Sequence, residues 1–180
     1  MHKSDSASYG IEFYNDIFEQ SRDAIKKGNA KNPLQVCVES ESQGGFESHV
    51  KIRNFDFTID QPQSFGGTNK GPKPSEVLLA SLAACQEVTW RLYAAANGIP
   101  LTAICVRLTG VQDLRGFLNI NDGISAGFQH IVGTVTIESP AGEREINHLK
   151  KIVDTHCPVL DDLRRPVKVD MKLKYAVSEE

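Results

Sequence analysis

Pro74-Ser-Glu-Val-Leu-Leu-Ala-Ser-Leu-Ala-Ala-Cys85-Gln-Glu-Val-Thr-Trp-Arg-Leu-Tyr-Ala-Ala-Ala96 decides the architecture of this 180-residue chain. It reads as one long helix from about residue 75 to 97. Pro74 stands near its first position and Asn97-Gly98 ends it. Between Glu76 and Asn97 the only charges are Glu76, Glu87 and Arg91. At about 100° per residue these three fall on one side, and Glu87 and Arg91 form an i,i+4 pair. Cys85 lies on the opposite face with Leu78, Leu82, Thr89 and Leu92. A helix this apolar is buried around most of its circumference. One domain of this size has little to wrap around it, so a second copy of the chain is expected to help.

Around this helix the pattern alternates between sheet and helix. Residues 1–9 are small and polar and read as a frayed tail. Ile11, Tyr14, Phe18, Ser21 and Ile25 recur at spacings of 3 and 4, an amphipathic helix with Lys26 and Lys27 late and Gly28 as its stop. Leu34, Val36 and Val38 then alternate with polar residues. After Gly44-Gly45 the chain returns from Phe46 to Lys51, turns at Arg53-Asn54, and runs on through Phe55, Phe57 and Ile59, an antiparallel meander of three strands. Beyond the long helix, Ile104, Val106 and Leu108 mark a strand, and Ile131, Val135 and Ile137 another. Ile146, Leu149, Val153 and Cys157 form one stripe of a second helix. Pro158 disfavours the α region at Cys157, which predicts the end of that helix there. Val167, Val169, Met171 and Leu173 alternate with Lys168, Asp170, Lys172 and Lys174 as a last strand. Without βαβ regularity the order favours an α+β fold.

Composition excludes several classes of function. The net charge is −3 and no basic run exceeds a pair, which argues against nucleic acid or an anionic membrane as partner. No segment reads as a signal peptide or a membrane span, so the expected location is cytoplasmic, where a disulfide is more often transient and catalytic than structural. Cys37, Cys85, Cys105 and Cys157 contain no CxxC pair, so neither a zinc ribbon nor a thioredoxin-type motif is expected, and no metal or cofactor is implied. The glycine-rich loop Phe65-Gly-Gly-Thr-Asn-Lys-Gly-Pro-Lys-Pro74 invites a phosphate-loop reading. That motif needs Lys and Ser/Thr after its last glycine, where Pro72 stands without an N–H. The loop reads instead as a rigid lead into the helix.

Four features together resemble a known family. They are the Gly66-Gly67…Gly71-Pro72…Pro74-Ser75-Glu76 entry, the Leu-Leu-Ala-x-Leu-Ala-Ala-Cys85 helix, the Asn97-Gly98-Ile99-Pro100-Leu101 exit and the Cys157-Pro158-Val159 box. They are similar to the OsmC/Ohr family, osmotically inducible protein C and organic hydroperoxide resistance protein, over roughly residues 34–175. The resemblance divides the chain into a tail and amphipathic helix, 1–33, and an OsmC-like domain, 34–180. It implies antiparallel sheets packed around two long central helices in an intertwined homodimer. It also implies thiol-dependent reduction of a small hydrophobic hydroperoxide, with Cys85 as the peroxidatic and Cys157 as the resolving cysteine, recycled by an unknown thiol reductant.

The hydroperoxide-resistance branch carries a glutamate ten residues before the reactive cysteine, paired with an arginine from the N-terminal strands. Here Ser75 holds that position and Glu76 follows it, so the chain looks closer to the OsmC-like branch. For the supporting cation, His49, Lys51 and Arg53 remain open, with Arg53 favoured. Each residue also has a plainer reading. A free cysteine is commonly a small buried hydrophobe, and Cys37 and Cys105 read as bystanders on the polar faces of strands. Glu76 suits the first turn of any helix, and Arg53 suits a turn. Two functions stay in play: a thiol peroxidase, and a non-enzymatic dimer that binds a hydrophobic ligand and carries vestigial cysteines.

Overall fold

The computed structural model describes residues 9–165 and 167–177, so most of the expected N-terminal tail lies outside the described residues. Helix α1 (Ile11–Lys26) leads into a three-stranded antiparallel meander, β1 (Glu39–Gly44), β2 (Glu47–Ile52) and β3 (Phe55–Ile59), in the order β1-β2-β3. The long helix α2 (Pro74–Ala96) follows. Next come β4 (Ala103–Gln112), a short α3 (Leu114–Phe117) and β5 (Phe128–Glu138), with β4 and β5 paired antiparallel as a separate sheet. The chain then forms α4 (Glu143–His156) and α5 (Pro158–Arg164). The fold is mixed helix and antiparallel sheet, as the sequence predicts.

Helix α2 is the hub: α1, β4, α4 and α5 all pack on it. Trp90, Ala94 and Ile99 meet Leu149 and Val153 of α4 in the core, with Ile104, Val135 and Ile137 of the β4–β5 hairpin against them. Pro74 sits in the first turn of α2, where its missing N–H costs nothing, and the Lys73 N–H donates to Glu76 Oε2 at 3.0 Å to close the helix start. Arg91 does not pair with Glu87 as the spacing predicts; its guanidinium lies over the Tyr14 ring of α1, 5.8 Å from the centroid. Once α1 covers this end of α2, a cation–aromatic contact replaces an exposed ion pair worth little in water.

Two predicted strands are not strands within the chain. Residues 34–38 run without ladder partners, leaving Leu34 76% and Val36 83% exposed, and the first ladder begins only at Glu39. Residues 167–174 are likewise unpaired, with Met171 and Leu173 each 90% exposed. Alternation marks a segment fit for a half-buried sheet, but a strand exists only where a neighbour supplies hydrogen bonds. The total exposed surface is 14351 Å² for a 19.8 kDa chain, whereas a compact chain of that mass exposes about 8,600 Å².

The glycine-rich loop has a structural explanation. Its organiser is Asp60, which is buried at the end of β3. The Asp60 carboxylate accepts from the Thr68 hydroxyl at 2.7 Å and from the backbone N–H groups of Gln61, Thr68 and Lys70. Gly67 and Gly71 let the loop press on the strand it leaves: a Cβ there would stand 1.9 Å from the Gln61 carbonyl oxygen and 2.1 Å from that of Thr58. The Thr68 hydroxyl, helped by the backbone donors and opposed by desolvation, lowers the Asp60 carboxyl to about 2. Because the folded value lies below the ordinary 3.8, this network stabilises the fold fully above about pH 4 and fades as pH falls toward 2. Asp60→Ala is expected to lower the melting temperature at pH 7 and to remove part of the acid sensitivity between pH 4 and 2. Calorimetric melts of both proteins across that range check it.

Candidate active site

The last turn of α4 ends at Cys157, whose backbone is extended at φ −77° and ψ 112° because Pro158 follows. The same residue starts α5, with Pro158 in its first turn, so the chain bends sharply on the cysteine. Cys157 is completely buried against the middle of α2. There its Sγ lies 3.4 Å from Cys85 Sγ, two sulfurs in contact across 72 positions of sequence. Cys85 is half-buried, and both thiols are free.

Burial pushes the Cys85 thiol above its ordinary value, the Val159 N–H pulls it partly back, and the neighbouring Cys157 thiol adds to the rise. The Thr89 hydroxyl is also close, but its one proton is given to the Cys85 carbonyl oxygen at 2.7 Å, which leaves the Val159 N–H as the effective donor. No lysine, arginine or histidine is among the groups acting on Cys85. Two sulfurs in contact and one backbone donor can form and break a disulfide; a thiolate abundant at neutral pH needs a cation as well, and none acts on Cys85 among the described residues.

The other predicted site residues stand apart from this pair. Glu76 caps the start of α2, nine residues and about 13.5 Å along the axis from Cys85 and on the opposite face. Arg53 is exposed in the β2–β3 turn, in the left-handed region at φ 57°, with its guanidinium 5.2 Å from the Phe55 ring centroid. His49 and Lys51 are exposed on β2. Cys37 and Cys105 are exposed, away from the thiol pair. Val159 enters the sequence reading only within the Cys157-Pro158-Val159 box and is given no role there; the signal for one is Pro158, which suits the first turn of another helix.

The family model described as OsmC-like protein matches residues 67–172, which contain Cys85, Cys157 and most of the glycine loop. The chain belongs to the OsmC family. Among solved structures, the OsmC-like protein of Mycoplasma pneumoniae is similar at 27% identity and a TM-score of 0.65, covering 73% of this chain and 89% of that one. An organic hydroperoxide resistance protein OsmC from Legionella pneumophila matches at 18% identity and a TM-score of 0.56, over 74% and 92% of the two chains. One from Elizabethkingia anophelis matches at 20% and 0.53, over 76% and 93%. A search of curated proteins finds no match. The OsmC family match begins after α1 and the β1–β3 meander.

The 3.4 Å contact can be tested without reference to any activity. Phenylarsine oxide, which needs two adjacent thiols, is expected to bind once per chain and to shield Cys85 and Cys157 from alkylation while leaving Cys37 and Cys105 reactive. Mass mapping of alkylated peptides checks it; protection of neither cysteine would refute the apposition.

Proposed function

We propose that this OsmC-family protein is a thiol peroxidase that reduces organic hydroperoxides through Cys85, with Cys157 as the resolving thiol. The observation that carries the reading is the 3.4 Å approach of the two sulfurs, one of them fully buried. The Cys85 thiolate attacks the distal peroxide oxygen, the O–O bond breaks, and a proton completes the alcohol, leaving a sulfenic acid. The Cys157 sulfur displaces hydroxide from that sulfenic acid, which leaves as water and closes the disulfide. A thiol reductant then reopens the bridge by exchange. The neighbours from Legionella pneumophila and Elizabethkingia anophelis are described as organic hydroperoxide resistance proteins, and at their identities they share the fold. That they belong to the same structural class makes an organic hydroperoxide the first substrate to test.

Peroxide treatment is expected to join Cys85 to Cys157 and to leave Cys37 and Cys105 as thiols. Cys85→Ser should abolish peroxide consumption, and Cys157→Ser should allow one turnover and then hold Cys85 as sulfenic or over-oxidised acid. Peptide mapping after one equivalent of cumene hydroperoxide decides it. If Cys85 stays reduced in folded protein, the second reading takes its place: a dimeric hydrophobic-ligand binder with vestigial cysteines. An open trough of about 940 Å³ between α2, the β4–β5 hairpin, α4 and α5 favours that reading, being lined by Leu78, Leu82, Trp90, Leu108, Val135 and Leu163.

In the peroxidase reading the working unit is a homodimer. The support is the excess exposed surface, the unpaired apolar segments 34–38 and 167–174, and the buried Trp90 indole N–H, which finds no acceptor among the described residues. For the cation that Cys85 needs, Arg53 stays the first candidate, with His49 and Lys51 after it, and in this assembly a second copy is what could bring one of them to the thiol. An interface of this kind buries upwards of about 2,000 Å² in total. Light scattering at micromolar concentration is expected to give twice the 19.8 kDa chain mass. A stable folded monomer would overturn this assembly.

A further inference from the structure

Helix α1 reaches the resolving cysteine through three aromatic rings. Phe18 of α1 meets Tyr93 of α2 edge-on, with centroids 5.3 Å apart and planes at 67°. The Tyr93 ring in turn lies against His156, the last residue of α4, at 4.9 Å. His156 Nδ1 donates to the Ile152 carbonyl oxygen at 2.7 Å, which fixes the ring on its own final turn. The next residue is Cys157, whose N–H donates to the Val153 carbonyl oxygen at 2.9 Å and whose sulfur touches Cys85.

The end of α4 is held unevenly. Leu149 and Val153 are fully buried and anchor its body, but His156 is exposed, and its ring is steadied by Tyr93 and the Ile152 carbonyl. Beyond it the chain bends at Cys157, so the angle of that last turn determines where the sulfur points. Bond formation is demanding here: the sulfurs must close from 3.4 Å to about 2.05 Å with a narrow torsion. Small errors in placement slow an intramolecular step of this kind strongly.

We propose that Phe18, Tyr93 and His156 form a latch through which α1 positions Cys157, and that the latch sets the rate of disulfide closure rather than the rate of peroxide attack. The inference rests on the peroxidase reading for its place in a cycle. Its chemistry is the second half-reaction: the Cys85 sulfenic acid and the Cys157 thiol give the Cys85–Cys157 disulfide and water, after an organic hydroperoxide has oxidised Cys85 and left as the alcohol. Attack on the peroxide needs only Cys85, so the two steps should separate. Phe18, Tyr93 and His156 are positioning residues, since none of them touches the reacting oxygen.

The test uses full-length protein carrying Phe18→Ala, Tyr93→Ala or Tyr93→Phe. Cumene hydroperoxide is mixed rapidly with each, the reaction is quenched at intervals, and sulfenic acid (trapped with dimedone) and disulfide are counted by mass. The expected result is unchanged loss of the Cys85 thiol in all three, with closure about tenfold slower in both alanine variants and restored in Tyr93→Phe. Cys85 in the alanine variants should over-oxidise at lower peroxide. Diamide, which closes dithiols without peroxide, gives a second measurement of closure that does not depend on peroxidase activity. Phe18→Ala lies on a helix with no fully buried residue, so it keeps the core even if Tyr93→Ala fails to fold. Wild-type closure rates in Phe18→Ala with both oxidants would overturn the latch. Failure of peroxide to oxidise wild-type Cys85, with diamide closure still slowed by Phe18→Ala, would overturn the peroxidase reading and keep the latch.

Discussion

A 23-residue helix with almost no charge has to be covered on nearly every side, and the rest of the molecule is arranged around that requirement. Within the chain α1 lies on one flank of α2, and β4, α4 and α5 lie on others. The cover is incomplete. Leu78 is exposed at the open trough, and the buried Trp90 indole N–H finds no acceptor among the described residues. An apolar ligand could fill volume, but the indole also demands an acceptor, and the unpaired apolar segments at both ends of the fold demand sheet neighbours. In the proposed homodimer these demands fall to a second copy of the chain.

The cysteine contact is a consequence of the same packing. Helix α4 buries Leu149 and Val153 against α2, and Cys157 is the next position on that stripe, so the core places its sulfur. Pro158 turns the backbone at this point, and α5 leaves with the Val159 N–H near the Cys85 thiol. The interface of the two helices brings the sulfurs together, and the ring contacts from α1 bear on the last turn of α4. What the interface withholds is charge. Burial raises the Cys85 thiol, and the single backbone donor of Val159 only partly offsets it. A reactive thiolate at Cys85 would need a cation brought to it, which the proposed dimer assigns to the second copy.

The sequence was most legible where periodicity and packing agree. Helices α1, α2 and α4 were readable from their stripes, and the end of α4 from Pro158. The meander was readable from its turns. Its first strand was misplaced by five positions because β1 consists of Glu39-Ser-Glu-Ser-Gln-Gly44, a polar stretch paired through the register that the Gly44-Gly45 turn imposes. The more apolar 34–38 and 167–174 carry the stronger strand pattern and form no ladder inside the chain. Alternation reports fitness for a sheet and says nothing about which molecule supplies the neighbour. Cys85 and Cys157 could be named as a pair only through the family resemblance, since contact across 72 positions depends on how α4 lies on α2. Asp60 was invisible for a similar reason: its value lies in a loop that folds back onto it.

Packing alone does not account for the pair of thiols. A buried cysteine is an ordinary small hydrophobe, and an alanine or valine at either position would also fill space. Two free thiols in contact make the second ionisation unfavourable once the first has occurred, and they expose the core to oxidation. A purely structural site gains nothing from that arrangement that apolar residues would not supply. Closing the bridge, by contrast, links parts of the chain 72 residues apart and would stabilise the fold by roughly 4 kcal/mol on the chain-entropy account. In a protein whose only function was to hold the two helices together, that gain would favour a permanent disulfide. The 3.4 Å separation instead leaves both thiols free and within reach of each other. Such an arrangement suits a bond that is made and broken repeatedly, which is the physical argument behind the proposed redox reading.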